Sequence, residues 1–221
     1  MSEIGDYALR FAFVVGLVGL VAGFVGGRLR NDAWTRLAER SLLAVFAFVT
    51  LAMGILFAAF VNNDFHIAYV AGHSSRAMAL PYRLAALWGG QAGSLLLWLW
   101  MLCAYGASCV LLNRRQNRSL MPWVALILHA NCLFFLVLLN FISQPFELLP
   151  QGAVLSDGQG LNPLLHHPVM MIHPLALYTG LVGFAVPFAF AFAALATGEL
   201  DAAWFRTTRR STLFAWTFLS I

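Results

Sequence analysis

The chain has 221 residues, 61% of them hydrophobic and only 10% charged, with a mean hydropathy of +0.80. A soluble domain carries roughly 25% charged residues, so this composition excludes an ordinary soluble protein and points to an integral membrane protein. The net charge of +4 comes from 13 basic residues, all arginine, and their scatter between apolar runs excludes a nucleic-acid-binding face.

The opening "MSEIGDYALRF" is acidic ahead of the first apolar run. A cleaved signal peptide starts basic, so the first run is expected to remain as a helix. A helix crossing the hydrocarbon needs about 20 mostly apolar residues. Five stretches qualify, at 8–27, 41–61, 94–112, 121–141 and 174–196. A sixth starts at Ser211 and reaches Ile221, about half the length needed to span, as expected of a fragment or of one product of a split gene. The expected fold is all-α, a polytopic membrane bundle of five complete transmembrane helices and the start of a sixth. No span is expected to be broken by Gly or Pro at its midplane, and none carries a chain of charges.

Arginine placement predicts the orientation. Arg28, Arg30, Arg36 and Arg40 fall between the first two spans. Arg114, Arg115 and Arg118 fall between the third and fourth, and Arg206, Arg209 and Arg210 between the fifth and sixth. Positive-inside bias makes these connections cytoplasmic and the N-terminus extracytoplasmic. The long connections 62–93 and 142–173 then lie outside, with Asp64, Glu147, Asp157 and every histidine except His129.

Two stretches of these outer connections suggest chemistry. In "PYRLAALWGGQAGSLLLWLW", residues 81–100, Trp88, Trp98 and Trp100 bracket Gly89, Gly90, Ala92, Gly93 and Ser94. The tryptophans read as an aromatic belt; the small residues also admit a tightly packed helix or a planar cofactor. In "HHPVMMIHP", residues 166–174, Pro174 suits the first position of a helix and disfavours the α region at His173. His173 is therefore expected as the cap, or beside it, at the outer mouth of the fifth helix. The positive end of a helix disfavours a protonated imidazole, and a neutral imidazole can ligate iron. The alternative is an interfacial histidine bonded to water or backbone, which also serves for His66, His73, His166 and His167. His129, within the fourth span beside Asn131 and Asn140, reads either as functional or as a helix-packing contact. Cys103, Cys109 and Cys132 read as small buried hydrophobes, and Asp64 as a loop anchor. No Ser-His-Asp grouping, paired-carboxylate motif, HExxH or Walker loop is present.

"VNNDFHIAYVAGHSS", "LPYRLAALWGGQAGSLLLWLW" and "GLNPLLHHPVMMIHPLALYTGLVGFAVPFAFAFAAL" resemble, in order and spacing, the CcmF/NrfE family of cytochrome c maturation. The resemblance implies a bacterial inner-membrane haem lyase. Such a protein takes haem from the haem chaperone CcmE and helps attach it to CXXCH motifs of apocytochrome c outside the cytoplasm, alongside subunits of the CcmH/CcmI type. It implies haem bound against a tryptophan-rich WWD domain by two outer histidines, the first of them matching His173. The WWD domain, the second outer histidine and two later b-haem histidines belong to the remainder of the lyase, so His129 is not matched to them. The chain departs from the family pattern with Gln91-Ala92 for His-Glu, "HPLALY" for His-Pro-Pro-Leu-Leu-Tyr, and His166-His167 for Gln-Asp.

The expected site is thus His173 as axial ligand of the haem iron, with Trp88 near the cofactor. Arg76 and Arg83 are candidates for the propionates, or else ordinary interface anchors. No catalytic residue is expected in this portion. Membrane lipid is expected around it and no nucleic acid. A transporter-like or quinone-binding membrane subunit is the alternative.

Overall fold

The computed structural model describes residues 1–113, 115–150, 155–199 and 203–221. Arg114, one of the arginines that predict the orientation, and residues 151–154 of the second long connection lie outside the described residues. The described chain runs through α1 (Ser2–Leu29), α2 (Asp32–Asn62), α3 (Ala68–His73), α4 (Leu80–Ala85) and α5 (Gln91–Leu112). It continues through α6 (Met121–Phe141), α7 (Pro168–Gly183), α8 (Ala185–Thr197) and α9 (Ala203–Leu219). As expected, the fold is all-α with five stretches long and apolar enough to cross a membrane: α1, α2, α5, α6 and the α7–α8 stretch Pro168–Thr197.

α1 is built on a stripe of small residues, Gly5, Ala8, Ala12, Gly16, Gly19, Ala22, Gly23 and Gly26, all buried. Small residues let transmembrane backbones approach closely, and α1 packs along both α2 and α6. Leu42, Leu56, Leu96, Leu99, Leu102, Leu128 and Leu136 close the centre of the bundle. Phe11, Phe57, Phe134 and Phe188 remain exposed, as suits side chains facing lipid. His129 is fully buried, its Nδ1 2.8 Å from the Ala125 carbonyl. A side chain at Gly19 would strike its ring, so His129 fills the α1–α6 seam. Asn140 likewise bonds to the Leu136 carbonyl and reaches the Leu9 carbonyl of α1. The three cysteines are free and buried, as expected.

Several boundaries differ from the sequence expectation. α2 starts at Asp32 rather than 41, because the Asn31 side chain accepts hydrogen bonds from the Ala33 and Trp34 amides. Its early charges are absorbed in ion pairs rather than in a loop. Arg36 lies 4.0 Å from Asp32, and Arg118 pairs with the buried Glu39. α9 starts at Ala203 rather than Ser211, so Arg206, Arg209 and Arg210 stand on a helix. The first long connection contains α3 and α4.

The fifth span departs most. It starts at Pro168, not Pro174, because Pro168 takes the first helical position and the His167 side chain caps it. Contrary to the expectation of an unbroken span, it is interrupted at Phe184. Pro187 has no N–H for the Gly183 carbonyl, and the chain restarts as α8.

The arginine-rich termini gather at one end of the bundle. Arg118 reaches Asp32 and Glu39, Asn117 bonds to Thr207, and Ser119 bonds to Glu199. The opposite end carries the two long connections.

Candidate functional site

At the arginine-poor end the two connections are stitched into one cap. Ile67 bridges to Leu148, with the Ala68 amide donating to the Glu147 carbonyl and the Leu149 amide to the His66 carbonyl. Further along, the Gln159 amide donates to the Ala71 carbonyl and the Gly160 amide to the Ser74 carbonyl. Asp157 clasps the first connection by accepting from the Arg76 and Gly158 amides, each at 2.8 Å. Those two N–H donors hold its carboxyl below the ordinary aspartate range. Asp64 anchors its loop as expected, accepting from the His66 amide and lying 3.0 Å from the His66 ring.

Tyr69 fixes the Trp-Gly-Gly turn beneath this cap. Its hydroxyl donates to the Leu87 carbonyl at 2.9 Å and accepts from the Gly90 amide at 3.1 Å. Burial pushes its ionisation up, so it stays a neutral phenol. The His73 ring lies 4.4 Å from the Tyr69 ring, with Nδ1 2.9 Å from the Tyr69 carbonyl. A Cβ on Gly90 would land on the His73 ring, and one on Gly93 on the Leu87 carbonyl and the Tyr69 phenol. The small residues beside Trp88 are therefore filled by the protein itself, from α3. Sequence reading missed Tyr69; its signal was a tyrosine four residues before a histidine on one face of a short helix.

Trp88 ends a 3-10 turn, Ala86–Trp88, half-buried, with its carbonyl accepting from the Ser94 hydroxyl at 2.8 Å. Its indole N–H is buried and has no partner among the described residues. Leu161 of the second connection packs onto Gly89, which sets the approach to α7 beside this turn. The described approach is a 3-10 turn, Pro163–Leu165, capped by Asn162, and His166 stacks on Tyr82 with ring centroids 5.0 Å apart.

The three histidines of "HHPVMMIHP" thus separate. His166 covers Tyr82. His167, not His173, caps α7, its Nδ1 accepting from the Val169 amide at 3.2 Å. That acceptor role needs a lone pair on Nδ1. His173 sits in the second turn of α7, where its side chain is exposed and hydrogen-bonds to no described residue. Its expected place at the cap or beside it is corrected: the helix begins at Pro168, which carries His173 past the mouth. Among the described residues no group of three or more His, Cys, Asp or Glu side chains is arranged to hold a metal ion.

The candidate cations differ. Arg83 spends two nitrogens on backbone carbonyls, Nη1 to Val61 at 3.2 Å and Nη2 to Met78 at 3.1 Å. Arg76 is exposed, with its guanidinium 5.9 Å from the Phe65 ring centroid, and it lines a cavity of about 470 Å³ together with Asp64 and His66.

Comparison with known proteins gives a consistent picture. The cytochrome c assembly protein family matches residues 88–221. The cytochrome c-type biogenesis protein CcmF of Pseudomonas aeruginosa is 41% identical over 222 residues, covering all of this chain and 34% of that protein. The CcmF of Escherichia coli is 38% identical, covering all of this chain and 34% of its own length. A probable cytochrome c-type biogenesis protein NrfE of Escherichia coli is also 38% identical, over 90% of this chain and 36% of that protein. A solved structure titled cytochrome c heme lyase CcmF superposes with a TM-score of 0.82 at 28% identity, over 99% of this chain and 34% of that one. The chain spans about a third of the length of these relatives.

Proposed function

The chain belongs to the cytochrome c assembly protein family, with the CcmF and NrfE proteins as its relatives, and on that premise we propose that its arginine-poor end handles haem. It is a multi-pass inner-membrane protein of cytochrome c biogenesis. In this reading the arginine-poor end faces the extracytoplasmic side, by positive-inside bias. There it receives haem from a chaperone of the CcmE type and presents it to apocytochrome c. The remainder of the lyase and subunits of the CcmH/CcmI type complete the assembly.

The observation that carries this reading is His173. It is an exposed imidazole on a transmembrane helix, with neither ring nitrogen bonded to a described residue. Its lone pair is available to iron, and the helix backbone limits its directions. The other expected residues fit unequally. Trp88 offers an indole N–H with no partner among the described residues. Arg76 is exposed and fits a propionate; Arg83, tied to two carbonyls, fits better as an anchor of α4. Haem supplies the carbons to which the CXXCH thiols become attached. The protein's part would be to hold the iron through His173 and to keep the platform still through Tyr69 and the Asp157 clasp.

Replacing His173 with Ala in the gene is expected to cut covalent haem in periplasmic c-type cytochromes at least about tenfold, the effect of losing roughly 1.4 kcal/mol of ligand binding. Haem-stained gels give the readout, with the amount of protein in the membrane checked by immunoblot. Unchanged maturation at normal protein level removes His173 from the mechanism. The break at Phe184 is the one feature favouring a transporter, since discontinuous helices line many transport sites. No Asp, Glu or Arg lies between Pro168 and Thr197 to couple to, and the family relationship favours haem handling.

A further inference from the structure

We propose that the arginine-rich end binds the phosphodiester headgroup of an anionic phospholipid, in a cleft between the α1–α2 turn, the start of α6 and the end of α8. This does not rest on the haem reading, because it concerns the other end of the bundle.

The cleft has a volume of about 480 Å³, and Arg28, Arg30, Arg118, Ser119, Trp123 and Thr197 are among its walls. Two acids also line it, Asp32 and Glu199, and both are engaged. Asp32 lies between Arg36 at 4.0 Å and Arg118 at 3.9 Å, and Glu199 accepts from the Ser119 hydroxyl at 2.7 Å. Arg118 is further tied to the buried Glu39. Arg28 and Arg30 form no ion pair with any described residue. Glu199 keeps its charge, so the cleft's three guanidinium groups outnumber its two carboxylates by one, and Arg28 and Arg30 are the two not already held in position.

Guanidinium forks match phosphate oxygens in pairs of parallel hydrogen bonds. The positive end of α6 opens on the same cleft through Ser119, Pro122 and Trp123.

The surroundings select a lipid as the carrier of that phosphate. Trp123 packs its ring on Gly27 and on Phe24, at 6.3 Å between centroids, as an aromatic at a membrane interface does. Phe24 and Leu29 of α1 and Leu195 of α8 are more than half exposed on the helices that form the walls, a surface on which acyl chains can lie. Basic pockets between transmembrane helices are a known setting for anionic headgroups. Free phosphate shares the headgroup chemistry but gains nothing from that apolar surface.

The test uses the full chain, purified in detergent, stripped of lipid and examined by native mass spectrometry. Phosphatidylglycerol, phosphatidylcholine and inorganic phosphate are titrated separately. Phosphatidylglycerol should bind in preference to phosphatidylcholine, and inorganic phosphate should not compete with it. Each arginine near an anionic headgroup contributes about fivefold, so R28Q/R30Q should weaken phosphatidylglycerol about 25-fold. R209Q, on α9 and outside the cleft, should leave it unchanged. Equal binding of the two lipids, equal competition by inorganic phosphate, wild-type affinity in R28Q/R30Q, or an equal loss in R209Q would each overturn the proposal.

Discussion

At Gly93 the difference between hydrogen and methyl decides whether the cap over the arginine-poor end can form. A Cβ there would occupy the space of the Leu87 carbonyl and the Tyr69 phenol, the pair whose hydrogen bond fixes the Trp88 turn. Overpacking of this kind costs about 1–3 kcal/mol. Gly93→Ala is expected to lower thermal stability in detergent by that order and to loosen Trp88. Gly54→Ala is the contrast, because nothing stands within 4 Å of its added methyl. It should hold stability or raise it by up to about 1 kcal/mol. A loss as large at Gly54 as at Gly93 would show that helix glycine in general, not the Tyr69 contact, is being measured. The sequence displayed the small residues beside Trp88 but not their occupant. Which side chain fills a glycine gap depends on a tertiary contact, here between α3 and the start of α5. His173 and His167 show the same limit. Both precede a proline and are equal by local rule, and the helix took the earlier proline as its first residue.

Among the elements, the two inner prolines of the fifth span differ in kind. Pro187 lies in the first turn of α8, where a missing N–H is tolerated. Pro174 lies inside α7 and leaves the Met170 carbonyl without its helical donor. Pro174→Ala is therefore expected to raise stability, by up to about 3 kcal/mol, while Pro187→Ala changes it by less than about 1 kcal/mol. Because Pro174 adjoins His173, its replacement should also reduce cytochrome maturation despite the gain, as strain at functional sites is commonly set against stability. Denaturant unfolding and haem staining of the same two variants test both parts. A Pro187→Ala gain equal to that of Pro174→Ala would refute the distinction. The apolar middles of the spans were legible because both lipid and core select apolar side chains there. The ends were not, since Asn31, Arg36 and Glu39 extend α2 into a polar region that hydropathy reads as loop. The start of α9, expected at Ser211 and found at Ala203, was misplaced for the same reason, its first turns being amphipathic.

Over the whole molecule, charge is distributed as a topological signal. At one end Arg36 and Arg118 meet Asp32 and Glu39 in local pairs, while the opposite end holds every histidine but His129, together with Trp88 and the Asp157 clasp. The sequence made this polarity legible, because arginine spacing follows the order of the helices. It did not reveal that the two long connections form one platform, since the Ile67–Leu148 and Asp157–Arg76 contacts join residues about eighty apart. What that platform is for turns on one imidazole. The most direct test is the visible and magnetic circular dichroism spectrum of haem bound to the protein purified from its own membranes, with and without His173→Ala. The expected result is loss or marked shift of the histidine-ligated haem signal in the variant at equal protein level. An identical spectrum and haem occupancy would contradict a haem-ligating role for His173.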